Sequence, residues 1–512
     1  MMASSTPEHL DIVVIGAGIS GIGAGHYITT ELPSKSFSIL EARPTFGGTW
    51  DLFKYPGIRS DSDLHTFGYE FKPWKAKDSI ADAHKILDYL SETIQESGLT
   101  DKIRYNHKVL SADWSSENAC WTLQVERNGE AVAMTANWVF FSSGYYDYAQ
   151  GFTPEFTGRD RFRGQIIHPQ FWPEDLDYTD KKVVVIGSGA TAVTLVPSLL
   201  NGAKGNASHV TMLQRTPSYV MPVPKQDPLT NLFHKVFGHK IGHELSRKRF
   251  IAQQRGVYAF TQRFPAASRK IIRAVNIMQL PKGYPVDVHF NPPYDPWDQR
   301  LCAVPDGDLF KVIRSGKASI ATGKIATFTE SGIELADGEH LDADIVVTAT
   351  GFKLKLFGGV QLSIDGHPVD LTQTVIHRGA MLSGVPNVAI AIGYVFSSWT
   401  LKIGILYRYL TKLIATMDAR GLDVAVAVAD PAMATRPALD FEAGYVQRAL
   451  DELPRRGLAG DWTMPTTYWG HDERLHKDLP FNEVSGLHMY TKGSARSVDL
   501  SNEQPAVVEF IG

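Results

Sequence analysis

Cysteine is nearly absent: only Cys120 and Cys302 occur in 512 residues. That excludes a disulfide framework, a CxxC redox pair and a cysteine zinc cluster, and it fits a reducing cytoplasm. Long apolar runs are missing as well, since no stretch reaches the ~18 apolar residues that a bilayer-spanning helix needs. The opening MMASSTPEHL has no basic segment followed by an apolar core, so no secretory signal is expected. Neither charge sign dominates, because 51 Lys and Arg stand against 55 Asp and Glu for a net −4. No global charge therefore draws the chain to nucleic acid. With 43% apolar and 21% charged residues the composition is that of a folded, multidomain chain. A cytoplasmic enzyme is the expectation.

What the chain does have is a repeated glycine pattern. LDIVVIGAGISG is an apolar strand running into G-x-G-x-x-G at Gly16, Gly18 and Gly21, followed by a helical pattern. The first glycine permits a tight turn, the second admits a pyrophosphate against backbone, and the third lets helix pack on strand. A second strand, SFSILEA, ends at Glu41, where a carboxylate can accept both ribose hydroxyls of an unphosphorylated adenosine.

KKVVVIGSGATAV repeats the strand and turn with Gly187, Gly189 and Ala192. Its following strand, HVTMLQRTP, ends in Arg215 and Thr216 instead of an acid. A guanidinium pairs with a ribose 2′-phosphate that a carboxylate would repel, so this site is expected to take NADP. Each half also carries a hairpin with an Asn-Gly or Asp-Gly turn and then an apolar strand ending in Ser-Gly or Thr-Gly. Two Rossmann-like α/β domains are therefore expected. The first dinucleotide is read as FAD, because a flavin beside NADPH can pass electrons onward whereas a second nicotinamide would have no partner chemistry. Without a cysteine pair to serve a disulfide substrate, oxygen is the expected acceptor.

Two further stretches carry a family resemblance. FRGQIIHPQFWP fits F-x-G-x-x-x-H-x-x-x-W-[PD] through Phe162, Gly164, His168, Trp172 and Pro173. GGTWDLFKYPGIRSD fits G-G-x-W-x-x-x-x-Y-P-G-x-x-x-D through Gly47, Gly48, Trp50, Tyr55, Pro56, Gly57 and Asp61. With both dinucleotide motifs, the chain resembles the type I Baeyer-Villiger monooxygenases over nearly its whole length, in wording closest to the ethionamide-activating subgroup. The resemblance implies that NADPH reduces FAD, that O2 forms a C4a-peroxyflavin, and that one oxygen atom enters a ketone to give an ester or lactone, or adds to a thioether or thioamide sulfur. It places Ser20, Glu41, Thr49, Trp50, Asp61 and the Val109 backbone around FAD. It places Arg59, Ser60, the turn of Ser188, Gly189, Ala190, Thr191, Ala192 and Val193, and Arg215 and Thr216 around NADP. It puts the essential arginine at Arg300, with Asp61 as its positioning partner. Where many members have lysine before that arginine, this chain has Gln299.

His168 is read as an anchor between the domains rather than an acid or base, and Trp172 with Pro173 as a movable contact between them. The expected division is residues 1–150 and 385–512 for the FAD domain, 151–222 and 298–384 for the NADP domain, and 223–297 for a helical insertion. From Lys235 to Arg273 that insertion holds ten Lys or Arg and one acid, Glu244. A solvated face is the first reading, with attraction of NADPH or contact with anionic membrane as alternatives. The partners expected are a small ketone or sulfide and O2, with no nucleic acid and no metal. A flavin-containing monooxygenase confined to nitrogen and sulfur is the alternative enzyme, and a flavin-binding sensor the alternative of another class.

Overall fold

In the computed structural model the described residues are 7–202, 205–299, 301–439, 443–470 and 481–493. Two sheets organise them. The first has nine strands; Glu8–Ile15 lies in its middle, parallel to Phe37–Leu40 on one side and Glu130–Phe141 on the other. Strand residues Ile12 and Val14 enter one apolar cluster while Val13 and Ile15 enter another. Both faces of the strand are thus covered, as the unbroken apolar run requires of a parallel strand. The second sheet has five parallel strands in the order Ala318–Thr322, His209–Gln214, Lys182–Ile186, Ile345–Thr348, Gln165–Ile167.

Both expected hairpins form. Arg127 pairs with Glu130 across Asn128 and Gly129, whose φ values of 49° and 87° are what an Asn-Gly turn supplies. Gly332–Leu335 pairs antiparallel with His340–Asp342 around Gly338, φ 90°. The strand after each hairpin ends beside the first glycine of its own turn. A β-carbon on Gly16 would lie 2.9 Å from Ser143 Cα, and one on Gly187 would lie 2.3 Å from the Ala349 carbonyl oxygen.

The expected boundary at 384/385 needs correction. Gln361–Ile364 joins the first sheet, parallel to His107–Ser115, and His367–Pro368 extends it. The chain therefore returns to the first domain soon after Thr348, because the apolar pattern of QLSI finds an open edge there. Val388–Ile390 and helix Trp399–Arg420 complete that domain, with Ile403, Leu406, Leu410 and Leu413 fully buried on one helix face.

The two passages between domains run side by side. Outgoing Tyr146–Gly151 pairs antiparallel with returning Phe352–Leu354, Gly151 opposite Phe352. One two-stranded ribbon thus carries both connections. The insertion consists mainly of helices Pro228–Arg263 and Pro265–Gln279. No helix among the described residues is long and apolar enough to cross a membrane.

Candidate active site

A cavity of about 2300 Å³ runs between the two sheets and is lined by both glycine turns. Small-molecule pockets are typically about 300–1,000 Å³, so this one accommodates more than a single ligand.

At its first end Glu41 is buried and already holds two backbone donors: Oε2 accepts from Ala17 N at 2.8 Å and Oε1 from Arg43 N at 2.9 Å. Burial pushes its carboxyl above the ordinary range, while the two amides pull the other way. The remaining lone pairs can still accept hydroxyls. Gly16 and Gly18 line the cavity, while Gly21 does not; a β-carbon there would strike the Gly16 carbonyl oxygen at 1.8 Å. Gly48, φ 56°, approaches Gly18 so closely that a β-carbon would lie 3.1 Å from its Cα, joining the second fingerprint to the first turn. Ser20 lines the wall and accepts from the Trp399 indole at 2.8 Å. Thr49, Trp50 and Val109 line the same end. Trp50 sits edge-on to Phe67, centroids 5.6 Å apart.

At the second end Gly187, Ser188, Gly189, Ala190 and Thr191 face the cavity, and no atom lies within 4 Å of where a Gly189 β-carbon would be. Ser188 Oγ donates to the Thr216 carbonyl at 3.0 Å, tying the turn to the end of the next strand. Arg215 is exposed and Thr216 half-buried, and both line the cavity. Ala192 and Val193 do not. They are buried in the domain core, because the helix has by then turned inward.

Arg59 and Ser60 need a refinement. Arg59 Nη1 donates to Asp308 Oδ2 at 2.5 Å, crossing from the first domain to the second, while its Nη2 is buried with no hydrogen-bond partner among the described residues. A buried, half-used guanidinium beside the cavity fits a phosphate oxygen. Ser60 also lines the cavity, with its Oγ accepting from Ala81 N at 3.2 Å. Tyr55 is hydrogen-bonded to Thr191 across the same boundary, and burial pushes its phenol up to about 12. Gly57, φ 77°, comes so close to the second domain that a β-carbon would sit 1.8 Å from Ser198 Oγ.

Asp61 is exposed at the cavity wall, with Ser62 Oγ donating to it at 3.3 Å. Arg300, the expected catalytic arginine, lies outside the described residues. Gln299 lines the cavity.

The FRGQIIHPQFWP stretch does not line the cavity. His168 Nδ1 accepts from Gln170 N at 3.2 Å, so the network assigns the proton to Nε2, which donates to the Gly351 carbonyl at 3.2 Å. Burial lowers its pKa, opposed by the Gly351 and Phe152 carbonyls. The ring covers Gly151, where a β-carbon would lie 2.1 Å away. Gln170 Nε2 donates to the Asp147 carbonyl at 2.8 Å, so His168 and Gln170 together grip both strands of the ribbon. Trp172 is only 9% exposed and shares an apolar cluster with Phe53 and Tyr55 of the other domain. It is thus a contact between the two domains, as expected, and a well-packed one. Phe162 packs edge-on to Phe328, and Gly164 is required where a β-carbon would meet the Asp344 carbonyl at 2.2 Å.

An aromatic wall was missed in the sequence. Tyr258, Trp297, Phe396 and Trp469 meet with centroids 5.6 to 6.0 Å apart. Trp297 adopts φ 80°, rare for a bulky residue, and its indole N–H is buried without a hydrogen-bond partner. The proline-flanked NPPYDPWD was the available signal.

Two nucleotide-type turns opening on one cavity define a protein that handles a pair of dinucleotides together. The comparisons with known proteins give the family. A flavin-binding monooxygenase-like family matches residues 75–255, and an NAD(P)-binding Rossmann-like domain matches 14–76. The FAD-containing monooxygenase EthA of Mycolicibacterium smegmatis is 50% identical over 489 residues, 95% of this chain and 98% of that one. A probable FAD-binding monooxygenase AlmA of an Acinetobacter species is 45% identical over 504 residues, 98% and 99% of the two chains. An oxidized steroid monooxygenase solved with NADP has the same fold at TM-score 0.72 and 20% identity, covering 94% of this chain and 100% of that one. The chain belongs to the FAD-containing monooxygenase family of EthA and AlmA.

Proposed function

We propose that this flavoprotein monooxygenase uses NADPH and O2 to insert one oxygen atom into ketones, giving esters or lactones, and to oxygenate thioether or thioamide sulfur. The observation that carries the reading is the single cavity reaching both glycine turns, which lets two dinucleotides meet. FAD, when bound, accepts a hydride from NADPH and activates O2 for transfer of one atom to the substrate.

The chain's own residues bind, orient and shield. The Gly16–Gly18 turn and Glu41 hold the adenosine and pyrophosphate of FAD. Gly187 to Thr191 hold the pyrophosphate of NADP, Arg215 and Thr216 its 2′-phosphate, and Arg59 Nη2 a further phosphate oxygen. By the family resemblance Arg300 would supply a permanent positive charge and Asp61 would be its partner; loss of such a stabiliser costs about 3 to 4 kcal/mol in the barrier. Tyr258, Trp297 and Phe396 line the cavity with Trp469 packed behind Tyr258, an apolar wall suited to keeping water out.

Product analysis on 2-octanone and methyl phenyl sulfide tests this. Ester from the ketone and sulfoxide from the sulfide are expected. Sulfoxide alone would replace the proposal with a nitrogen and sulfur oxygenase, and NADPH oxidation without any oxygenated product would leave neither.

A further inference from the structure

The insertion carries a surface that oxygenation does not use. Helix Pro228–Arg263 is broken at Gly238, φ 73° and ψ 172°. Its two arms fold back on each other. A β-carbon on Gly242 would lie 2.8 Å from His234 Cα, and Arg249 reaches Asp227 at 2.7 Å, two pairs both centred on residue 238. The second arm is fixed to the first domain, because Arg247 Nη1 donates to the His65 and Gly68 carbonyls, each at 3.1 Å, and Phe250 stacks on the His65 ring. The turn of the hairpin is left outside this packing.

At that turn Val236, Phe237 and Ile241 are 60%, 50% and 55% exposed. Leu229, Leu232 and Leu245 continue the exposed apolar surface along both arms. One exposed aliphatic is ordinary on a soluble protein; six on one hairpin mark an interaction surface. Lys235, Lys240 and Lys248 stand exposed among them, and none is in an ion pair among the described residues. Between residues 228 and 250 the hairpin holds five Lys or Arg against one acid, the exposed Glu244, in a chain whose net charge is −4; of the five, Arg249 is paired with Asp227.

We propose that this hairpin turn docks the protein on an anionic lipid surface, Val236, Phe237 and Ile241 entering the boundary between headgroups and acyl chains while the lysines pair with anionic headgroups. An apolar tip ringed by lysine matches such a surface in both respects, an apolar interior beneath a negative plane. The rival occupant is a second copy of this chain. A two-fold contact through the patch sets each lysine cluster against its own image, and like charges then oppose association. The second arm continues from the tip to Val257 and Tyr258 in the cavity wall. At 1.5 Å per residue the first cavity-lining residue of this arm, Phe250, is about 17 Å from His239 and Val257 about 27 Å, so docking holds the reaction cavity near the interface without immersing it.

Sedimentation of the full-length flavin-loaded protein with phosphatidylcholine vesicles, with and without phosphatidylserine, tests the proposal. The expected result is binding only to vesicles containing phosphatidylserine, reversed by high salt. The Val236→Ser/Phe237→Ser variant and the Lys235→Gln/Lys240→Gln/Lys248→Gln variant should each lower the bound fraction about tenfold or more, with flavin content, thermal transition and NADPH oxidation unchanged. Emission from Phe237→Trp should shift to the blue on binding. Absence of wild-type binding to anionic vesicles, or equal binding by both variants, overturns the proposal. So does a dimer in sedimentation velocity that both variants dissociate without any lipid binding, which would make the hairpin a contact between copies.

Discussion

His168 donates its Nε2–H to the carbonyl oxygen of Gly351, and Gly351 immediately precedes the strand by which the chain returns to its first domain. The histidine belongs to the second sheet's territory and the carbonyl to the crossing, so one hydrogen bond fixes a domain to its hinge. His168→Ala should leave FAD bound but slow flavin reduction by NADPH on the order of 10- to 100-fold, the usual cost of misplacing two reactants by about 1 Å. Stopped-flow absorbance and hydrogen peroxide yield measure this. Wild-type reduction and coupling would remove the hinge role.

Arg215 should carry most of the choice between the two nicotinamide cofactors, since Gln299 offers no charge to a 2′-phosphate. Arg215→Ala should reduce the ratio of kcat/KM for NADPH over NADH by about 10- to 100-fold, the worth of one or two charge-assisted hydrogen bonds. An unchanged ratio would remove Arg215 from the phosphate site.

Gly57 is where the first domain's YPG loop touches the second domain's helix. Gly57→Ala should destabilise by about 1–3 kcal/mol through overpacking against Ser198 Oγ and an unfavourable positive φ. Adding Ser198→Gly should recover only the steric share. A thermal transition equal to wild type in the single variant would contradict the contact.

Burial pushes three imidazoles far down, His65 to about 3 and His243 and His377 to about 4. An unfolded histidine titrates near ~6.5, so below that pH the unfolded chain binds protons that the fold refuses. Stability should be full above about 6.5 and fall toward about 4, by up to about 1.4 kcal/mol per pH unit for each histidine. His65 and His243 both sit at the base of the insertion, ring centroids 6.0 Å apart. His65→Gln/His243→Gln should flatten the slope of thermal transition against pH in that window; an unaltered slope would assign the effect elsewhere.

The sequence reveals local chemistry well and long-range assembly poorly. Both glycine turns, both hairpins and the buried face of the Trp399–Arg420 helix follow from spacing and turn residues, which act within about a dozen positions. The return to the first sheet at Gln361 was misplaced because four apolar-alternating residues fit either sheet, and only an open edge decides between them. Glu41 was legible as an acid after a strand, whereas its two amide partners were not, since they depend on where the turn closes. The aromatic wall draws on positions 258, 297, 396 and 469, and no local pattern links them. A lone glycine in a helical pattern does not announce the reversal at Gly238, which shows only in its φ and ψ and in contacts such as His234 with Gly242.

The paired crossing has a mechanical consequence. Two separate tethers would let one domain tilt, slide and twist against the other. A single ribbon, laced by ladder hydrogen bonds and capped by His168, resists shear along its length and permits chiefly swing and torsion about one line. Any such swing would also have to break the Arg59–Asp308 pair and part the Gly57 loop from Ser198, so the ribbon and these contacts together set the separation across which a hydride passes.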